Sequence, residues 1–237
     1  MQYLFGNKKL GLALFFSLWC VGIAFAQVKG SYNYLNFANK RYYFGITLGY
    51  NSSQYAVARS KNFILNDSIR SLYSPSNAGF NLGMIANYKL NNYFDIRVVP
   101  TLSFASRSVM FERVTGNETR KNVESVFVEL PVQVRFKSAL YHDFRLFVLS
   151  GVKYSYDVSS RSRTRNGATQ LKVSPSDYQI EVGAGAQFYF PFFIFSPEVK
   201  YSQGVSNLLI YNNQLIYSNV IDRLFSRTLT VSLHFEG

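Results

Sequence analysis

The feature that most constrains this chain is a strict two-residue alternation of side chains, which returns in eight separate segments. They cover residues 41–52, 79–90, 93–106, 123–136, 143–156, 178–190, 193–203 and 225–236. Because successive side chains of a β-strand point to opposite faces, this pattern predicts eight strands with two distinct faces. Each segment exceeds the usual soluble strand of about 5–6 residues. Each is also long enough to cross a bilayer as a tilted strand, which takes about 9–11 residues.

The two faces differ in polarity. One face is apolar or aromatic, as in Phe44, Ile46 and Leu48, and Ser150 is its one polar member. The other face is rich in glycine and small polar residues and carries the charges: Lys89, Asp95, Arg97, Glu129, Arg135, Arg145, Lys153, Glu181, Glu198 and Lys200. A charge facing lipid costs about 2–4 kcal/mol at mid-bilayer, so the charged face must point inward. We therefore expect an all-β fold, an eight-stranded antiparallel transmembrane outer-membrane β-barrel, in which closure leaves no unpaired edge.

The connections between these segments alternate in length. Those after the second, fourth and sixth segments are short (91–92, 137–142, 191–192), and the other four are long (53–78, 107–122, 157–177, 204–224). Outer-membrane barrels have short periplasmic turns and long extracellular loops, and an even number of strands then leaves both termini in the periplasm. The alternative fold is a secreted β-sandwich, whose strands are shorter, with turn signals every 8–12 residues or so.

The N-terminus has the features of a secretory signal peptide. Lys8 and Lys9 precede an uncharged apolar run that closes on Ala24-Phe25-Ala26. The alternative is an uncleaved membrane anchor. The single cysteine, Cys20, lies inside this run, and the bulky Trp19 before it argues against a lipoprotein. We expect a signal peptide over 1–26, a periplasmic segment over 27–40 and the barrel over 41–237, located in the cell outer membrane.

The predicted lumen concentrates charge in a small space. An eight-stranded barrel has an interior that side chains just fill. We expect one structural cluster there, formed by Asp95, Arg97, Glu129, Arg135, Arg145, Lys153, Glu181, Glu198 and Lys200. An unpaired buried charge costs several kcal/mol, so we expect an internal salt-bridge plug, for instance with Arg97 and Arg145 paired to Glu129 or Glu181. The alternative is a narrow ion path or a regulated plug.

The sequence offers little for catalysis. Of the two histidines, His142 falls in a short turn and His234 faces inward near the periplasmic end, so neither lies at the extracellular rim. Serine, histidine and aspartate do not cluster, and the mature chain has no cysteine. We therefore expect no enzyme, no metal site and no cofactor.

Contacts with other molecules are expected at the surface. Arg161, Arg163 and Arg165 form a basic loop that is either solvated or attracts lipopolysaccharide phosphates or an acidic protein. We expect no nucleic-acid binding by an exported, membrane-embedded chain, despite its net charge of +12. The loop 204–224 is apolar enough to fold over the barrel or to dock a partner. Phe235 lies near the end of the last strand, where an aromatic residue is the usual assembly signal for the barrel assembly machinery.

Several stretches resemble the PorT (SprT) family of Bacteroidetes outer-membrane barrels. They are RYYFGITLGYN (41–51), GFNLGMI (79–85), YFDIRVVPTLSF (93–104), ESVFVELPV (124–132), GVKYSYD (151–157), FSPEVKY (195–201), IDRLFSR (221–227) and the ending LHFE. The resemblance runs in order through nearly the whole mature chain, and the loops 53–78 and 157–177 match least.

This resemblance implies a non-enzymatic assembly or scaffolding component of the type IX protein secretion system, and of gliding motility in gliding species. Other secretion-system proteins would then be partners, beside outer-membrane lipids and lipopolysaccharide. The family brings no catalytic residues. The alternatives are a structural or adhesive barrel of the OmpA/OmpX kind, which binds envelope or host surfaces through its basic loops, and a small pore.

Overall fold

The computed structural model describes residues 33–60, 69–113, 118–159, 173–210 and 221–237, all within one compact unit, Asn33–Gly237. The expected signal peptide and the basic loop of Arg161, Arg163 and Arg165 lie outside these residues. The described elements are one short helix, α1 (Leu35–Ala38), and the strands β1 (Tyr42–Arg59), β2 (Ile69–Tyr73), β3 (Asn77–Lys89), β4 (Phe94–Val98), β5 (Thr101–Arg113), β6 (Glu118–Lys137), β7 (Phe144–Asp157), β8 (Ser176–Tyr189), β9 (Ile194–Gly204) and β10 (Ile221–Glu236). No helix in this part of the chain has the length and apolar character needed to cross a membrane.

The strands form one antiparallel sheet that closes on itself. The ladder runs from β1 through β10, β9, β8, β7 and β6, and β1 also pairs with β3. Both β4 and β5 pair with β3 on one side and β6 on the other, in a single continuous register. They are two halves of one strand, interrupted at Pro100, which has no N–H to donate to the ladder. The short β2 pairs only with the far end of β5. The described sheet is therefore a barrel of eight strands, which confirms the predicted fold.

Several strands extend beyond the predicted bounds at the end of the barrel that carries the long connections, called here the loop end. Strand β1 reaches Arg59 instead of residue 52, and β6 begins at Glu118 instead of 123. Residues 107–113 and 118–122 of the predicted loop 107–122 are therefore strand, which corrects that prediction for these residues, and Arg107 is a buried residue of β5. Backbone pairing with a neighbouring strand continues past the point where the alternation of apolar and polar residues stops. Hydropathy alone therefore underestimates the length of these strands.

The two faces of the sheet have opposite character. In β7, for example, Leu146, Val148 and Val152 are exposed on the outer wall, while Arg145 and Lys153 are buried inside. The apolar face is thus the outer surface of the barrel and the polar face lines its interior, as the sequence predicts.

Aromatic rings gather on the outer wall at the opposite end, the turn end. Phe144, Phe188, Phe195 and Phe235 lie on four strands, and their ring centroids follow one another at 5.1, 6.3 and 5.4 Å. Aromatic residues concentrate at membrane–water interfaces, where they form girdles around barrels.

Candidate functional site in the barrel lumen

Charged side chains from six strands join inside the barrel into one continuous chain of ion pairs. In order, the chain is Glu129, Lys153, Glu181, Lys200, Glu198, Arg97, Glu236, Arg135, Asp95 and Lys137. Acids and bases alternate along it, so each inner member lies between two opposite charges. All of these side chains are nearly or completely buried.

One half of the chain centres on Glu181 and Lys200. The Lys153 Nζ lies 3.3 Å from oxygens of both Glu129 and Glu181. The Lys200 Nζ lies 3.8 Å from Glu181 Oε2 and 3.5 Å from Glu198 Oε1. Neutral donors complete the Glu181 carboxylate: Ser202 Oγ donates to it at 2.8 Å and Gln133 Nε2 at 2.9 Å. These hydrogen bonds offset part of the cost of removing the carboxylate from water.

The other half links Arg97 to Lys137. Arg97 donates to Glu198 at 3.3 Å and also to Glu236. Arg135 donates to Asp95 Oδ2 at 2.9 Å, and its Nη1 lies 3.8 Å from Glu236. Lys137 Nζ donates to Asp95 Oδ1 at 2.6 Å. Glu236, the last residue of β10, is thereby tied to β4 and β6 across the lumen.

Three further side chains contact this network, and two of them add the remaining strands β1 and β3. Tyr43 of β1 donates to Asp95 at 2.9 Å, and Asn87 of β3 accepts from Arg135 at 2.7 Å. His234 of β10 lies with its Nε2 3.3 Å from Glu198. The network therefore contacts every one of the eight strands of the barrel.

The structure brings together eight of the nine lumenal charges predicted from the sequence, all except Arg145. Arg145 is buried, but it donates to the Asn92 carbonyl at 3.1 Å and lies 4.9 Å from the centroid of the Tyr34 ring. The illustrative pairings of Arg97 and Arg145 with Glu129 or Glu181 were wrong, because strand register brings other carboxylates to Arg97.

Sequence reasoning missed two members of the chain, Lys137 and Glu236. Lys137 points into the lumen like Arg135, two positions before it, and Glu236 points inward like His234. The signal was therefore present in the alternation. Both residues were overlooked because they sit at strand ends, where the pattern gives way to a turn or the terminus.

The turn end of the lumen is covered by α1 and the residues before it. Phe37 packs with Tyr43, Tyr189 and Ile194 in a small buried cluster. The Tyr34 N–H donates to Asp143 Oδ1 at 2.9 Å, and the Asn33 side chain donates to the other oxygen at 3.2 Å. The described part of the predicted periplasmic segment, 33–40, is thus a packed element and not a free tail.

The loop end holds a second apolar cluster, formed by Tyr55, Val109, Leu208, Ile221 and Leu224. The Leu208 N–H donates to the Leu224 carbonyl at 2.8 Å, which closes the described part of the connection 204–224 over the strand ends. The two alternatives for this loop, folding over the barrel or docking a partner, depend mainly on residues 211–220, which lie outside the described residues.

The histidines lie apart. His142 sits in the turn between β6 and β7 with a positive φ of 56°, and His234 is inside the ionic network. Across the described residues, no group of three or more His, Cys, Asp or Glu side chains is arranged to hold a metal ion.

Comparison with solved structures finds several similar chains. OprG from Pseudomonas aeruginosa is similar over 82% of this chain and 93% of its own, with 10% identity and a TM-score of 0.44. Neisserial surface protein A is similar over 82% of this chain and 96% of its own, with 10% identity and a TM-score of 0.43. Ail of Yersinia pestis is similar over 84% of this chain and 100% of its own, with 18% identity and a TM-score of 0.37. No curated protein matches this sequence.

The family comparison bears on most of the chain. The model of the outer membrane protein beta-barrel domain matches residues 25–209. Those residues include β1 to β9, which form the greater part of the closed sheet described above. The chain belongs to the outer membrane protein beta-barrel domain family.

Proposed function

We propose that this protein is a non-enzymatic, non-conducting outer-membrane barrel that acts as an assembly or scaffolding component of type IX protein secretion. The observation that carries the proposal is the lumen, which is filled by the chain of alternating charges from Glu129 to Lys137. The assignment to type IX secretion is supported by the stretches of the sequence that resemble the PorT family.

A filled lumen limits what such a protein can do. Apolar clusters around Phe37 and Leu208 lie at the two ends of the ionic network. An eight-stranded barrel has room for its own side chains and not for a folded cargo protein. The protein therefore acts through surfaces: the lipid-facing wall, the loops and the N-terminal segment. We further propose that the short turns and both termini face the periplasm, as in other outer-membrane barrels.

The decisive experiment is a deletion strain assayed for cargo in the medium. We expect loss of secreted cargo that carries the C-terminal secretion signal, restored by the wild-type gene supplied in trans. Normal cargo secretion would overturn the secretion role. If adhesion or detergent sensitivity changed instead, the OmpA/OmpX-like alternative would replace it.

The non-conducting part of the proposal has a separate test. Purified wild-type protein in planar bilayers should show no steady conductance. A variant in which Glu198 and Glu236 are both replaced by Ala should conduct or unfold, because it removes both partners of Arg97. Stable single-channel currents from the wild-type protein would overturn it.

A further inference from the structure

An exposed arginine interrupts the lipid-facing wall of β10. The outward side chains Leu233, Val231 and Leu229 are apolar and exposed, and Arg227 is the next one toward the loop end. Phe235 and Arg227 are eight positions apart (235 minus 227). At about 3.4 Å per residue and a tilt of about 40°, this places Arg227 about 20 Å above the aromatic girdle along the barrel axis. The apolar band of such barrels is about 25 Å tall, so Arg227 lies at its rim.

The Arg227 side chain is held in place by β9. Its Nε donates to the Gln203 Oε1 at 2.9 Å, and Tyr201 Oη donates to the same oxygen at 3.0 Å. The Gln203 Nε2 in turn donates to the Gly204 carbonyl at 3.1 Å. The guanidinium is therefore fixed through one nitrogen, and within the described residues its two terminal amino groups have no acceptor.

The cross-strand neighbours of Arg227 are polar but uncharged. In the sheet register it stands between Gln203 of β9 and Gln54 of β1. The other exposed arginine of this strand, Arg223, is different, because its Nε lies 3.5 Å from the Asp222 carboxylate. Arg227 is thus a positive charge without a described counter-ion, at the height where lipid headgroups begin.

We propose that Arg227, flanked by Gln203 and Gln54, binds the phosphate group of a membrane lipid in the leaflet at the loop end. The lipid's acyl chains would lie along the wall formed by Leu229, Val231 and Val199, directly below. A planar guanidinium with two free amino groups matches phosphate oxygens in a bidentate arrangement. A lipid fits this site better than free phosphate does, because the apolar wall begins directly below Arg227 and would contact the acyl chains. The inference rests on the barrel fold and is independent of the secretion role.

Native mass spectrometry of the detergent-purified full chain tests this site. The probes are a diphosphorylated lipid A and the same lipid after enzymatic dephosphorylation. We expect Arg227→Ala to weaken binding of the phosphorylated lipid at least about tenfold, because both charge-assisted hydrogen bonds of the bidentate pair are lost. Arg227→Lys should recover only part of the affinity, because an ammonium cannot bind in the bidentate mode. Arg223→Ala is the matched control and should leave binding unchanged.

Four results would overturn the proposal. They are unchanged binding by Arg227→Ala, equal weakening by Arg223→Ala, equal binding of the dephosphorylated lipid, and full displacement of bound lipid by excess inorganic phosphate. The last would assign the site to free phosphate. Heat-modifiable gel migration checks that each variant is folded before it is compared.

Discussion

Asp95 and Arg135 stand directly opposite each other on β4 and β6, and their side chains meet inside the barrel with Nη2 and Oδ2 2.9 Å apart. The same carboxylate accepts from Lys137 on its other oxygen and from Tyr43. One aspartate thus satisfies two cations and a phenol. It joins β1, β4 and β6 at the point where the ionic chain ends.

Removal of this charge should be costly. In Asp95→Asn the side chain keeps its shape, but Arg135 and Lys137 are left facing a neutral amide in a buried site. Breaking a buried ion pair by removing one partner typically costs 3–5 kcal/mol or so. We expect a loss of about that size in the free energy of unfolding, measured by urea titration of the protein refolded in lipid vesicles.

The control for this substitution is Asp222→Asn, which breaks the exposed pair with Arg223. Exposed ion pairs contribute about 0–1 kcal/mol, so this variant should unfold almost like the wild type. Equal losses for Asp95→Asn and Asp222→Asn would show that the lumenal network does not stabilise the barrel.

Gly185 makes room for a large inward-facing ring. A Cβ at this position would lie 2.5 Å from Phe147 Cζ and 2.5 Å from the Pro197 carbonyl oxygen, below any normal contact distance. We expect Gly185→Val to lower the free energy of unfolding by about 1–3 kcal/mol, the usual range for overpacking. Since part of the clash is with Phe147, adding Phe147→Leu should recover part of the loss.

The neighbouring Ala184 provides the matched control, because it is exposed on the outer wall. Ala184→Val places the same isopropyl side chain toward lipid and should leave the urea midpoint unchanged. If the two valine variants unfolded at the same urea concentration, close packing at Gly185 would be ruled out as the cause of the stability loss in Gly185→Val.

The alternation of the sequence was enough to predict the barrel and its inward charges, because lipid and lumen impose opposite polarity on successive residues. It was not enough to predict the partner of each charge. Arg97 and Glu236 are far apart in the chain, and their contact depends on the register of strands that lie across the lumen from each other. Register between distant strands is set by the closed barrel as a whole, and no single segment carries it.

The packing of the N-terminal segment was also beyond prediction. Residues 33–40 show neither a period nor a charge run, and the contact of Tyr34 with Asp143 is made across more than one hundred residues. Short helices such as α1 are stabilised by the surfaces they cover and not by their own propensity. Their position is therefore visible only once the covered surface is known.

The same contact leads to a prediction about the turn end. Asp143→Ala removes the acceptor for both the Tyr34 N–H and the Asn33 side chain. Hydrogen bonds to a charged acceptor contribute about 1.5–3 kcal/mol, so local opening of the segment should become at least about tenfold more frequent. Chymotrypsin, which cuts after aromatic residues, should then cleave at Tyr34 and Phe37 faster, as followed by mass spectrometry of the N-terminal fragments.

The control for this prediction is Asn39→Ala, at an exposed position next to α1, which should be cleaved at the wild-type rate. A wild-type rate for Asp143→Ala as well would refute this anchoring role.

Phe235 allows assembly to be separated from stability. Its ring lies 5.4 Å from Phe195 and 6.1 Å from Phe193, and aromatic pairs of this kind contribute about 0.5–1.5 kcal/mol. Phe235→Ala and Phe195→Ala remove the same ring contact, so both purified variants should show a similar small loss of stability after refolding in detergent. Of the two residues, only Phe235 lies in the last strand, one position before its end. We therefore expect Phe235→Ala, and not Phe195→Ala, to lower the amount of heat-modifiable protein in the outer membrane several-fold. Equal amounts of the two variants in membrane fractions would mean that Phe235 acts only through packing in the girdle.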